Sequence, residues 1–200
     1  MRTKIVGVIL GTVVLMASAY ADAVFTPGNH PQPGEENILF HSDQTGMIVD
    51  EFTNRSDTEV VVSSTIDTLI GTGGQSDIDD TSGEIHDITF MVPGHTFRDF
   101  ILDPQKLVSL NDLTVTAVTN SGTFTFVYGD PNGNNFLTVT TTTGDVIQSL
   151  TVDSTDGFAG FKQPRISGIS GVTLVPEPSS MILLGSGLLG LAGMIRRRRL

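Results

Sequence analysis

Cysteine and tryptophan are absent from the 200 residues, and tyrosine occurs only twice. Without cysteine there is no disulfide scaffold, no thiolate metal site and no cysteine nucleophile. Charged residues make up only 16% of the chain. Lys and Glu, the usual residues of exposed helices, are scarce, which argues against a helical bundle. Basic residues are also few: 11 Lys and Arg stand against 22 Asp and Glu, for a net charge of −11. A general nucleic-acid binder needs a basic footprint, so that class is excluded.

What basic charge there is lies mostly at the ends. Arg2 and Lys4 open the chain, and Arg196, Arg197, Arg198 and Arg199 nearly close it. Between them, five basic residues face all 22 acidic ones, a charge of −17. Such a body repels anionic lipid and nucleic acid and attracts divalent cations.

The two termini read as addresses. Arg2 and Lys4 precede an apolar run from Ile5 to Met16, and small residues follow at Ala17, Ser18, Ala19, Ala21 and Ala23. That is the layout of a secretory signal peptide, expected over residues 1–21 and removed by signal peptidase. At the other end, Val175-Pro176-Glu177-Pro178 leads into an apolar stretch from Met181 to Ile195, and the four arginines follow. Fifteen residues make about 22 Å of helix, short for a bilayer core of about 30 Å, so Ser179, Ser180 and snorkelling arginines must extend the span. The arginines act as a stop-transfer signal that keeps this end cytoplasmic and the body across the inner membrane. The prolines prevent the membrane helix from running on into the body and hold the junction extended.

These three ordered parts resemble the PEP-CTERM sorting signal, here residues 173–200. The resemblance implies that Pro176, Glu177 and Pro178 are recognised by an exosortase-type membrane protease, which removes or exchanges the tail. It further implies an exported protein, transiently anchored in the inner membrane and then found at the cell surface or outside the cell. An association with extracellular polysaccharide and biofilm matrix is implied in the same way.

Between the addresses, residues 22–36 carry Pro27, Gly28, Pro31, Pro33 and Gly34 and read as an irregular lead-in. From 37 to 172 the chain breaks into short Val-, Ile-, Thr- and Phe-rich segments separated by Gly, Asn, Asp and Pro, with 25 threonines in all. Leu113, Val115 and Ala117 alternate with Thr114 and Thr116; Phe124, Phe126 and Tyr128 alternate with Thr123, Thr125 and Val127; Ile88, Phe90 and Val92 alternate with Asp87, Thr89 and Met91. Period two with turns about every ten residues predicts an all-β fold, an antiparallel β-sandwich or jelly-roll-like body. Glu59–Leu69, Val146–Val152 and Phe158–Gln163 are expected as continuous strands. Asp130–Asn135 is expected as a turn, and Pro164 marks an edge or a bulge.

Chemistry is harder to find. His30, His41, His86 and His95 lack the spacing of a helical zinc motif. His41-Ser42-Asp43 cannot relay a proton as strand neighbours, because adjacent side chains point to opposite faces. Gly71-Thr72-Gly73-Gly74 lacks the lysine and helix of a phosphate loop and reads as a flexible loop. Asp77, Asp79, Asp80 and Glu84 form an acidic loop, a candidate Ca2+ site without the EF-hand spacing. Asp130, Asn132 and Asn134 form a second, smaller oxygen cluster. The reading is of a non-catalytic exported surface or matrix protein. The alternatives are a carbohydrate- or Ca2+-binding sandwich module and a secreted hydrolase, the former poorly served by the shortage of Trp and Tyr to stack on sugars.

Overall fold

A computed structural model describes residues 23–41, 44–72, 77–105, 113–129, 136–142 and 144–171. The signal segment 1–21, the turn at 130–135 and the sorting segment 173–200, with Pro176, Glu177, Pro178 and Arg196 to Arg199, lie outside them. Every strand pairing is antiparallel, and no helix occurs among the described residues, as the alternation predicts.

In chain order the strands are β1 Ala23–Pro27, β2 Glu36–Leu39, β3 Thr45–Gly46, β4 Ile48–Thr53, β5 Glu59–Ser63 and β6 Leu69–Gly71. Then come β7 Asp77–Asp80, β8 Ile85–Met91, β9 His95–Thr96, β10 Asp99–Leu102, β11 Leu113–Thr119 and β12 Thr123–Tyr128. The last are β13 Leu137–Thr141, β14 Ile147–Phe158, β15 Phe161–Lys162, β16 Arg165–Ser167 and β17 Ser170–Gly171.

Eleven strands join into one curled sheet, in the order β1-β13-β10-β16-β2-β4-β5-β8-β14-β11-β12. The short β2 is the corner. Its first half pairs with β16 and its second half with β4, so one wall passes into the other. The result is a nearly closed barrel whose two walls face each other as sandwich layers do. The edge strands β1 and β12 meet through side chains: the Phe25 and Phe126 rings stack 5.4 Å apart at 9°.

Alternation explains which residues fill the interior. In β11, Leu113, Val115 and Ala117 are buried while Thr114, Thr116 and Val118 are half-buried. In β12 only Phe124, Phe126 and Tyr128 are sheltered. A run of phenylalanines threads the core. Phe97 lies 5.9 Å from Phe100, Phe100 4.9 Å from Phe90, Phe90 5.9 Å from Phe161, and Phe161 4.9 Å from Phe158.

The barrel has two unlike ends. One is capped by the four-stranded sheet β15-β7-β6-β3, which buries Phe161, Ile78 and Leu69. The other carries hairpin turns. The cross-strand row Val61, Met91, Ser149, Val118 and Thr123 runs just beneath the turns at 54–58, 93–94 and 120–122.

Several expectations need correcting. Ala23–Pro27, read within the irregular lead-in, is a strand on β13, with Val24, Phe25 and Thr26 supplying the pattern. Its proline sits at the strand's end, where a missing N–H is tolerated. The expected strand 59–69 is two strands, separated where Ser64–Thr68 folds over β8. Expected strands 146–152 and 158–163 are bridged instead, because β14 continues through an irregular stretch between Asp153 and Phe158. Asp77–Asp80 is a strand, not a loop. Aspartate disfavours strands, but Ile78 is fully buried and β7 is paired on both sides, with β6 and β15. Gly71 lies in β6, where a Cβ would collide with the His41 carbonyl. Pro164, as expected, falls at a break, between β15 in the cap and β16 in the barrel wall.

Candidate functional site

Polar chemistry inside the body concentrates at the capped end, where β8 meets the segment 64–68. Asp87 lies on the outer row of β8, yet this segment covers it. Its carboxylate accepts from the Ser64 hydroxyl at 2.6 Å, from the Thr65 amide at 2.9 Å and hydroxyl at 3.0 Å, and from the Ile66 amide at 3.2 Å. Burial pushes this carboxyl up, but the donors from Ser64, Thr65 and Ile66 together hold it below the usual carboxylate range. Asp67 points back the other way, accepting from the His86 amide and, at 3.0 Å, from His86 Nδ1.

A serine, a histidine and two aspartates thus gather within a few residues of one another, as in a hydrolase, but they are wired differently. The Ser64 hydroxyl donates to Asp87, and His86 donates to Asp67. A serine is activated by a base that takes its proton, and an ionised carboxylate already accepting four bonds serves as a clamp. His41 is engaged elsewhere, and its neighbours Ser42 and Asp43 lie outside the described residues. His41 Nδ1 donates to the buried Glu51 across β4, at 2.8 Å. Linear spacing could not reveal these histidine–carboxylate pairs, because their members stand 10 and 19 residues apart in the chain.

The four proposed calcium ligands do not converge. Asp80 accepts from the Ser82 amide and hydroxyl and closes the 80–83 turn, where Gly83 adopts φ +85°. Asp77 and Asp79 share the opposite face of β7. Glu84 lies beyond the turn, its Cβ beside Gly157. Among the described residues, no three histidine, aspartate or glutamate side chains are grouped to hold a metal ion. Asp130, Asn132 and Asn134 lie outside the described residues.

The face of Asp77 and Asp79 gains a different neighbour. Lys162 pairs with Asp77, and Pro104 bridges to Phe161, so Asp103, Lys162 and Asp77 form one lateral row. Burial raises the Asp79 carboxyl, Asp77 raises it further and Lys162 opposes. Burial likewise raises Asp103, against Gln105, Lys162 and Arg165, with Asp77 adding to the rise. Asp103 is 6% exposed, and its Oδ1 has no hydrogen-bond partner.

At the turn-bearing end, a cleft of about 540 Å3 opens between Pro33–Glu36, the turn at 56–58, His95 and residues 167–171. Its polar side chains are Glu36, Ser56, Thr58, His95, Ser167 and Ser170. Burial would raise the Glu36 carboxyl, but donors from Ser56, Thr53 and Arg55 outweigh it and hold the group low. Ser56 N donates to Glu36 at 2.7 Å. The last described residues, 167–171, line this cleft.

Residues 174–199 match the family model of the PEP-CTERM protein-sorting motif. Neither a curated protein nor a solved structure matches the chain. The matched span contains Pro176, Glu177 and Pro178, the apolar stretch and the arginine cluster, in the order such a signal requires. The chain therefore carries a PEP-CTERM sorting signal, that of an exported protein anchored transiently in the membrane and processed by exosortase.

Proposed function

We propose that, once the tail is released, the β-barrel body acts as a non-catalytic component of the cell surface or extracellular matrix, in association with exopolysaccharide and biofilm. The observation that carries this reading is the sorting signal itself, which sends a soluble, acidic body out of the cell. The wiring of the body supports it: Ser64, His86 and their carboxylates are engaged in holding a loop to a strand. In this reading Arg2 and Lys4 begin a signal peptide cut by signal peptidase, and Arg196 to Arg199 stop transfer of the tail.

A second reading makes the body a carbohydrate-binding module, favoured by the hydroxyl- and carboxylate-lined cleft beside Glu36, Thr58 and His95. Binding of exopolysaccharide that is lost in Thr58→Ala and His95→Ala chains would select it over a purely structural role.

Replacing Pro176, Glu177 and Pro178 together by alanine should leave export intact and stop tail removal. Mass spectrometry of the native protein reads both events, since each cleavage leaves a definite mass. Normal maturation of this variant would defeat the sorting role of the motif.

A further inference from the structure

Both ends of the described body leave from the same end of the barrel. Ala23 pairs with Thr141. The Thr141 amide donates to the Arg98 carbonyl, and the Arg98 amide donates to the Ser167 carbonyl. Residues 23, 141, 98 and 168 thus lie in one cross-strand row, three strand spacings wide, or about 14 Å. Beyond that row β17 continues the same ladder along β9, with Ser170 opposite Thr96 and Gly171 opposite His95. This is the end with the turns at 54–58, 93–94 and 120–122; the acidic residues Asp77, Asp79, Asp80, Glu84 and Asp103 lie at the capped end.

We infer that the turn-bearing end of the barrel faces the membrane surface while the precursor is anchored, with the capped acidic end pointing away. The inference rests on the sorting reading. Its argument is chain length. Only residues 172–178 separate Gly171 from Ser179, where the span begins, and the eight steps between them reach at most about 29 Å however they fold. Presenting the capped end would take a linker stretched straight along the full barrel wall, about 24 Å for a seven-residue strand such as β11, with the cap still beyond it, so the body has too little tether to present its far end to the bilayer. The same short linker limits the room in which a membrane-embedded protease can reach the Pro-Glu-Pro element past the turns.

The absence of cysteine allows a clean test with the full chain. His95→Cys and Thr81→Cys each introduce a single thiol at an exposed side chain, one at each end. Each precursor, labelled with a fluorophore, is reconstituted through its tail into vesicles of phosphatidylethanolamine and phosphatidylglycerol that carry a headgroup quencher. Quenching should be several-fold stronger at position 95 than at 81. Equal quenching, or stronger quenching at 81, overturns the orientation. Failure of the precursor to bind vesicles removes the anchoring reading and the orientation with it. In cells, deleting Val172 and Thr173, which precede the matched motif, should slow tail removal several-fold, while inserting four Gly and Ser residues after Gly171 should not. Tail removal that ignores linker length counts against the close approach. An unaltered chain that never loses its tail counts against the sorting reading instead.

Discussion

The two ends of the barrel are built from different materials. At the capped end the backbone is held by buried side chains: Asp87 and Asp67 tie the 64–68 segment to β8, and Phe158 and Phe161 pack the cap onto the barrel. At the turn-bearing end the backbone is held mostly by its own hydrogen bonds and by short polar caps within the turns. Thr53 Oγ1 pairs with Ser56 Oγ at 2.8 Å, and Asn120 Oδ1 accepts from Val146 N at 3.0 Å. Buried clamps make one end costly to alter. Solvated turns leave the other end free to vary and to meet other molecules, which suits the end from which both termini depart.

The largest difference should come from the aromatic core. Phe161 is 1% exposed and touches both Phe158 and Phe90. Phe161→Ala is expected to cost about 3–5 kcal/mol, as lost burial and a residual cavity add together. Arg55→Ala in the exposed 54–58 turn should stay within about 0.5 kcal/mol. Urea unfolding of the 23–171 body measures both. A small loss at Phe161 would mean that the cap is an appendage and the two ends are alike.

Next in size is the Asp87 clamp. Asp87→Ala strands the Ser64 hydroxyl and the amides of Thr65 and Ile66, and should cost about 2–3 kcal/mol, less where water reaches the half-exposed donors. Because the folded carboxyl is held below its usual range, it adds stability above the ordinary carboxylate pKa. That contribution disappears as pH falls through the lowered value. Asp87→Asn should flatten the acid limb of the stability curve. An unchanged acid limb would show that the clamp does not depend on charge.

The sequence makes some of this architecture legible and hides the rest for definite reasons. Strands such as Leu113–Thr119 and Thr123–Tyr128 are readable because one face is buried and the other is not, so the period of two survives in the residue types. β7 is hidden because three of its four residues are aspartates, and tertiary pairing overrides their local preference. β1 is hidden by the prolines that follow it. The break at Ser64 is hidden because its cause, Asp87, is more than twenty residues away. The sorting signal is linear, a short motif read in extended form, so spacing alone displays it. The histidine–carboxylate pairs and the common exit of both termini are products of register, which no linear pattern carries.

The smallest expected effect concerns charge at the capped end, and its sign is opposite to that of Asp87. Asp103 is buried, its Oδ1 lacks a partner, and its carboxyl is raised by burial despite Gln105, Lys162 and Arg165. With a folded pKa above the unfolded one, the folded state binds more protons in the window between them, so stability falls as pH rises through that window. At neutral pH the ionised group is a net cost, because its attraction to Lys162 and Arg165 does not offset lost hydration and the repulsion from Asp77. Asp103→Asn keeps the shape and removes the charge. Its melting temperature should therefore exceed that of the unaltered body at neutral pH, and the two should converge below about pH 3, where the carboxyl is protonated in both states. The same substitution at the exposed Asp57 in the opposite turn should show no such pH-dependent gain. A loss of stability at neutral pH in Asp103→Asn would mean that the lateral row with Lys162 is a favourable ion cluster. The capped end would then be held by charge as well as by packing.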